Sequence, residues 1–149
     1  MFRQLSLVFA LLAAPAAACE LDPAQAQAVI NETNSYRAAQ GRASLEANTR
    51  LTRAAEGHAC ALAASGRFSH ESKNGDGVGD RARDEGYRWR FVAENIARGQ
   101  RDASAVMDSW QTSSGHNRNL LARGAREIGV ASVVTSRGPL WVMVLGAPL

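Results

Sequence analysis

Apolar residues recur at two different periods along this chain, and each period predicts its own kind of element. Between Leu21 and Gln40, the positions Ala26, Val29, Ile30, Thr33 and Tyr36 return every three or four residues, the spacing of one helix face. Asp22 is its cap, Pro23 opens its first turn and Gly41 ends it. Over Thr49 to Ser65 the same period sets Leu51, Ala55, His58 and Leu62 in a stripe stopped by Gly66. A further helix starts near Asp102 and presents Ala103, Val106, Met107 and Trp110 on one side. Short helical segments are expected over Asp80 to Glu85, closed by Gly86, and over His116 to Leu121, after an interruption at Ser114-Gly115. The second period is that of a strand. Tyr87, Trp89 and Phe91 alternate with Arg88 and Arg90 and lead directly into Glu94. Ile128 to Thr135 and Leu140 to Leu145 flank a Ser136-Arg137-Gly138-Pro139 turn and read as a hairpin. Helices first and a hairpin last predict an α+β layered domain.

The N-terminus changes where that domain begins. One positive charge at Arg3, an apolar stretch from Leu5 to Ala14, then Pro15 and Ala16-Ala17-Ala18 form the layout of a secretory signal peptide, with a core too short to span a bilayer. The expected organisation is a signal peptide over 1–18 and a single domain over 19–149, secreted or periplasmic, with no transmembrane segment in the mature chain. Export bears on the two cysteines. Cys60 lies on the helix that starts at Thr49, nearly opposite Leu51 and beside Arg53 and Glu56, so it is not an ordinary core thiol. In an oxidising compartment Cys19 and Cys60 most simply pair. Two alternatives compete for these sulfurs. Cys19 could be a lipidated N-terminus, although Ala16 is not the bulky aliphatic residue that such a signal prefers. Cys60 could be catalytic, but His58 is two residues away and points to another helix face. His58 itself reads as a core histidine.

Charge excludes one partner class. The chain has 17 basic and 14 acidic residues and a formal net charge of +3, with no basic run or aromatic-interleaved basic patch, so nucleic acid is not an expected partner. The candidate chemistry sits in three short phrases: Phe68-Ser69-His70 in a Ser-, Asn-, Asp- and Gly-rich loop, Ala93-Glu94-Asn95-Ile96-Ala97, and Trp110 followed by Ser113-Ser114-Gly115-His116-Asn117-Arg118. Two imidazoles and a carboxylate are what a transition-metal site or an acid/base centre needs. Ser109, Ser113 and Ser114 lie near His116, but no Gly-x-Ser-x-Gly and no His-Glu-x-x-His occurs, so neither a serine hydrolase nor an ordinary zinc protease is supported. If Tyr87 to Ala97 is one uninterrupted strand, Glu94 shares a face with Arg88 and Arg90.

Together with Asn34-Ser35-Tyr36-Arg37 and Glu127-Ile128-Gly129-Val130-Ala131, those phrases resemble, in order and over almost the whole mature chain, the CAP superfamily of cysteine-rich secretory proteins, antigen 5 and pathogenesis-related proteins. The resemblance implies an α-β-α sandwich with a small antiparallel sheet between helical layers. In many members two His and two Glu line a central cleft that can hold a divalent metal. By motif, His70, Glu94 and His116 match three of these, and Ser113 stands where the second Glu belongs. The resemblance thus implies a groove lined by His70, Glu94, His116 and Ser113, with His70, Glu94 and His116 as metal candidates for a cation such as zinc, held weakly without the fourth ligand. His58 is expected outside that cluster. The leading functional expectation is a monomeric, non-catalytic binding module for a lipid, cell-wall or protein ligand. The alternatives are a divalent-metal-dependent hydrolase using His70, Glu94 and His116, and a structural domain of the envelope.

Overall fold

The computed structural model describes residues 18–149, so the signal-peptide expectation lies, but for its last residue, outside the described residues. Nine elements follow in the order α1 (Pro23–Ala39), β1 (Glu46–Ala47), α2 (Thr49–Ser65), α3 (Val78–Asp84), β2 (Trp89–Arg98), α4 (Ala103–Thr112), α5 (Ser114–Leu120), β3 (Glu127–Val133) and β4 (Leu140–Pro148). Capping fixes several helix starts. Asp22, Asn48 and Asp102 accept from backbone N–H groups of the first turns of α1, α2 and α4, and Gly66 closes α2 in the left-handed conformation.

The strands form one sheet in the order β1-β3-β4-β2, antiparallel except for the β1–β3 pair, which is parallel. Alternation along β4 shows why the sheet lies in the middle of the domain. Leu140, Val142 and Val144 pack with Leu51, Ala55, Ala59 and Leu62 of α2, whereas Trp141, Met143 and Leu145 pack with α1, α4 and α5 through Val29, Met107, Trp110 and Leu120. Both faces are apolar because both are covered. The result is the expected α-β-α sandwich.

The stripes on α2 and α4 are buried as their spacing predicts. On α1 the last inward position differs, since Tyr36 is half-buried and Arg37 is 1% exposed. The Arg37 guanidinium donates to the carbonyl oxygens of Ala43, Leu120 and Ala122 at 2.8, 2.8 and 3.1 Å, satisfying chain ends that an apolar side chain would leave bare. Ser114-Gly115 also differs from expectation. It lies inside the first turn of α5 rather than in a break, with Ser113 as the cap residue.

Cys19 and Cys60 form a disulfide, and no free cysteine remains among the described residues. A sulfur so bonded cannot carry a lipid thioether or act as a nucleophile, which removes both alternatives for these residues. The bridge closes a separation of 41 residues, worth roughly 4 kcal/mol in the chain-entropy account. Thiol titration of the denatured, unreduced protein should find no free thiol. Reduction should lower stability by about that amount, read from the shift of the denaturant midpoint.

Candidate functional site

The site lies along the free edge of β2, where successive side chains point to opposite sheet faces. Glu94 points with Val92 and Ile96 toward the α2 layer, while Asn95 points toward α5. Asn95 is fully buried and donates to His116 O at 3.1 Å, while Asn119 donates to Asn95 Oδ1 at 2.9 Å and to Glu94 O at 3.1 Å. Tyr36 adds a bond from its hydroxyl to Asn117 Oδ1 at 2.9 Å. The phrases around Tyr36, Glu94 and His116 therefore meet because amide side chains tie α1 and β2 to α5.

Glu94 is 7% exposed, and both of its carboxylate oxygens are engaged. Oε1 accepts from His70 Nδ1 at 2.8 Å, and Oε2 accepts from Arg81 Nη2 at 2.6 Å. The other Arg81 terminal nitrogen donates to His70 O, Ser72 Oγ and Asp76 O at 3.0, 3.1 and 2.9 Å, so one α3 side chain pins both the carboxylate and the loop that carries His70. The cation facing Glu94 thus comes from α3 rather than from Arg88 or Arg90. A register shift between Trp89 and Phe91 interrupts the simple alternation on which that face-sharing depended.

His58 overturns the expectation that it stands apart. It is 2% exposed, as a core histidine should be, but its Nε2 lies 4.0 Å from Glu94 Oε1. The same nitrogen is 2.9 Å from Ser69 O, and because a carbonyl only accepts, Nε2 carries the hydrogen. Position 58 sits on the α2 stripe directly beneath β2, so its inward direction was legible. What lay beneath was not, nor was the role of Arg81, which stands between Asp80 and Arg83 like any solvated helix charge. No local signal marks either residue.

His116 makes no hydrogen bond to His70 or Glu94. Its ring is tilted against Trp110, with centroids 6.4 Å apart, and lines a groove of about 450 Å³ with Phe68, Ile96, Ala97, Arg98, Gln100, Ser109 and Trp110. Arg98 places its guanidinium 5.3 Å from the Phe68 ring centroid and donates to Arg67 O at 2.9 Å, which holds the half-exposed phenyl ring at the groove. Ser113 accepts only through its backbone, bonding Asn117 N at 2.8 Å, and its side chain forms no cap bond.

Protonation follows these contacts. The bond to Glu94 raises the His70 pKa above its ordinary value, while burial lowers those of His58 and His116, the charge of His70 adding to the effect at His116. A base with a depressed folded-state pKa contributes stability that is intact above the unfolded value of 6.5 and lost as pH falls through it. The His70 contribution is full below 6.5 and declines only as pH rises through its raised folded value. Melting temperature should therefore fall on acidification from about pH 7 to pH 5. The fall should be shallower in His58→Gln, whose amide can still donate to Ser69 O. An unchanged pH slope in that variant would remove His58 from the account.

A divalent cation does not fit these positions as they stand. Neither Glu94 oxygen is open, Ser113 offers no carboxylate, and among the described residues no group of three His, Cys, Asp or Glu is arranged to hold a metal.

A family model, that of the cysteine-rich secretory protein family, CAP, matches residues 30–145. The chain belongs to this family. Among curated relatives of this CAP chain, the uncharacterized protein YkwD of Bacillus subtilis is 29% identical over 76% of the chain, and the uncharacterized membrane protein YlbC of the same organism is 30% identical over 68%. The chain spans 43% and 30% of their respective lengths. The CAP fold is seen again in an extracellular protein containing an SCP domain from Bacillus anthracis, with TM-score 0.77 and 24% identity over 84% of this chain and 41% of that one. An outer surface protein of Borrelia burgdorferi superposes with TM-score 0.79 and 19% identity, covering 85% of this chain and 94% of that one. No helix among the described residues is long and apolar enough to cross a membrane.

Proposed function

We propose that this CAP domain is a secreted or periplasmic binding module whose groove at the β2 edge takes a lipid, a cell-wall fragment or a segment of another protein. The observation that carries this reading is the composition of the groove. The exposed ring of Phe68 supplies apolar surface over a floor formed by the buried Ile96, Ala97 and Trp110, and Arg98, Gln100, Ser109 and His116 set polar groups around it, the mixture that small-ligand clefts use for affinity and orientation. The disulfide supports an oxidising location for the domain, with residues 1–18 as export signal. Nothing about Ser109, the groove's hydroxyl, supports a hydrolase. Its Oγ is 3.5 Å from Gln100 Nε2, and His116, which lines the same groove, makes no hydrogen bond to it.

The test is a titration followed by the Trp110 indole and His116 imidazole NMR signals. Three probes are used: a monomeric long-chain fatty acid, a soluble peptidoglycan fragment and an apolar peptide. One of them should shift both signals saturably, and Phe68→Ala, an exposed change that leaves the core intact, should weaken that probe by about tenfold. If all three leave both signals in place at millimolar concentration, the groove reading gives way to a structural domain of the envelope.

A further inference from the structure

The charges around Glu94 close on themselves. One buried carboxylate faces one guanidinium at 2.6 Å, and the Arg81 side chain is 10% exposed, so this pair is held largely out of water. His58 and His70 complete the cluster as imidazoles whose bonding hydrogens already point at Ser69 O and Glu94. A divalent ion brought to this carboxylate would meet an arginine already on Oε2 and an imidazole nitrogen already on Oε1. With serine at position 113, no second anion stands by to balance it.

We infer that Arg81 is the resident cation of this site: its guanidinium supplies, from within the fold, the positive charge that sets Glu94 and His70, and it excludes a divalent metal from the same carboxylate. Arg81 is a positioning residue. It bonds the His70 and Asp76 carbonyls and the Ser72 hydroxyl with one terminal nitrogen while the other holds Glu94, so the geometry of the loop and the charge of the carboxylate are fixed together. A guanidinium carried on the chain cannot be removed by chelation. The His70–Glu94 pair is therefore formed whether or not metal is present in the surroundings. The inference concerns the charge cluster at Glu94, apart from the groove lined by His116, and does not depend on any ligand binding there.

Zinc chloride and EDTA test it on the disulfide-bonded protein. The native chain should show no saturable zinc binding below about 1 mM by calorimetric titration, and its thermal midpoint should be the same with EDTA as without. In Arg81→Ala the carboxylate is released beside two imidazoles, and zinc should bind at least about tenfold more tightly and raise the midpoint of that variant. Arg81→Lys keeps a cation at the carboxylate and should exclude zinc as the native chain does, whereas a merely structural role for Arg81 would leave Arg81→Ala and Arg81→Lys alike toward zinc. If Arg81→Ala does not fold without metal, Arg81→Gln carries the same comparison. Stoichiometric zinc binding by the native chain overturns the inference, as does a folded Arg81→Ala or Arg81→Gln whose zinc affinity is no better than native. Either result would leave the groove titration to be judged by itself.

Discussion

Replacing Gly129 by alanine is expected to unfold the protein or lower its melting temperature by at least about 10 °C, although it adds a single methyl group. A Cβ at this position of β3 would overlap the Leu51 carbonyl carbon and the Thr52 nitrogen, and would stand 2.6 Å from Leu51 O. All three are backbone atoms in the first turn of α2. Neither side can give way, because Gly129 is paired with Val144 of β4 on one edge while Asn48, the cap of α2, donates to Ile128 O at 2.9 Å on the other. Overpacking typically costs about 1–3 kcal/mol where side chains can shift, and two main chains held in contact belong above that range. The comparison is Gly57→Ala on the exposed face of α2, where a Cβ would meet nothing within 4 Å. There, removal of a helical glycine should stabilise by about 0.5–1 kcal/mol. Melts of the two variants should move in opposite directions, and equal shifts would mean that α2 does not lie on β3 as described.

Gly129 also shows what kind of information the sequence holds. Its phrase, Glu127-Ile128-Gly129-Val130-Ala131, was legible as part of a family pattern, but the reason for a glycine there is the close approach of α2, which no local pattern states. Elements whose cause is local were readable in detail. The bounds of α2 follow from the Asn48 and Gly66 caps, and the buried set of α4 follows from its spacing. Elements whose cause is distant were not. β1 is two exposed residues held by pairing with Glu127 and Ile128, with no hydrophobic alternation to announce it. The turn-like composition of Ser114-Gly115 predicts an interruption after the helix from Asp102, with a short helical turn starting only at His116, whereas tertiary ties to Asn95, Tyr36 and Arg37 hold the seven residues of α5 helical from Ser114 on. The same division runs through the site. His70 and Glu94 were singled out by their phrases and do touch. His58 and Arg81, on helices whose stripes point at the same spot from two directions, could be placed there only once the sheet edge had brought α2 and α3 around it.

Removing the carboxylate at the centre of that arrangement should have the second large effect. Glu94→Ala is expected to cost about 3–5 kcal/mol, the usual penalty for breaking a buried pair from one side, because the Arg81 guanidinium is left without a counter-charge in a place water hardly reaches. Three carbonyl and hydroxyl bonds still hold its other nitrogen, so the side chain cannot simply swing out to solvent without releasing the His70 loop. Removing both partners should be less damaging than the sum of the two single losses, since Arg81→Ala/Glu94→Ala buries no unpaired charge. A double-mutant cycle should therefore return a favourable coupling of more than about 1 kcal/mol. A second measurement separates the loss of charge from the loss of packing. His70 is raised chiefly by its bond to Glu94, so in Glu94→Gln, which keeps the volume, its pKa should drop toward the ordinary 6.5 when followed by NMR. The loop should also loosen, with faster amide exchange at Ser72, whose N–H bonds Asp76 O at 2.9 Å within the turn that Arg81 pins. Should Glu94→Ala melt within about 2 °C of native, or the cycle return no coupling, the Arg81–Glu94 pair would be a surface-like contact. The His70 loop would then have to be held by something other than the charges at its base.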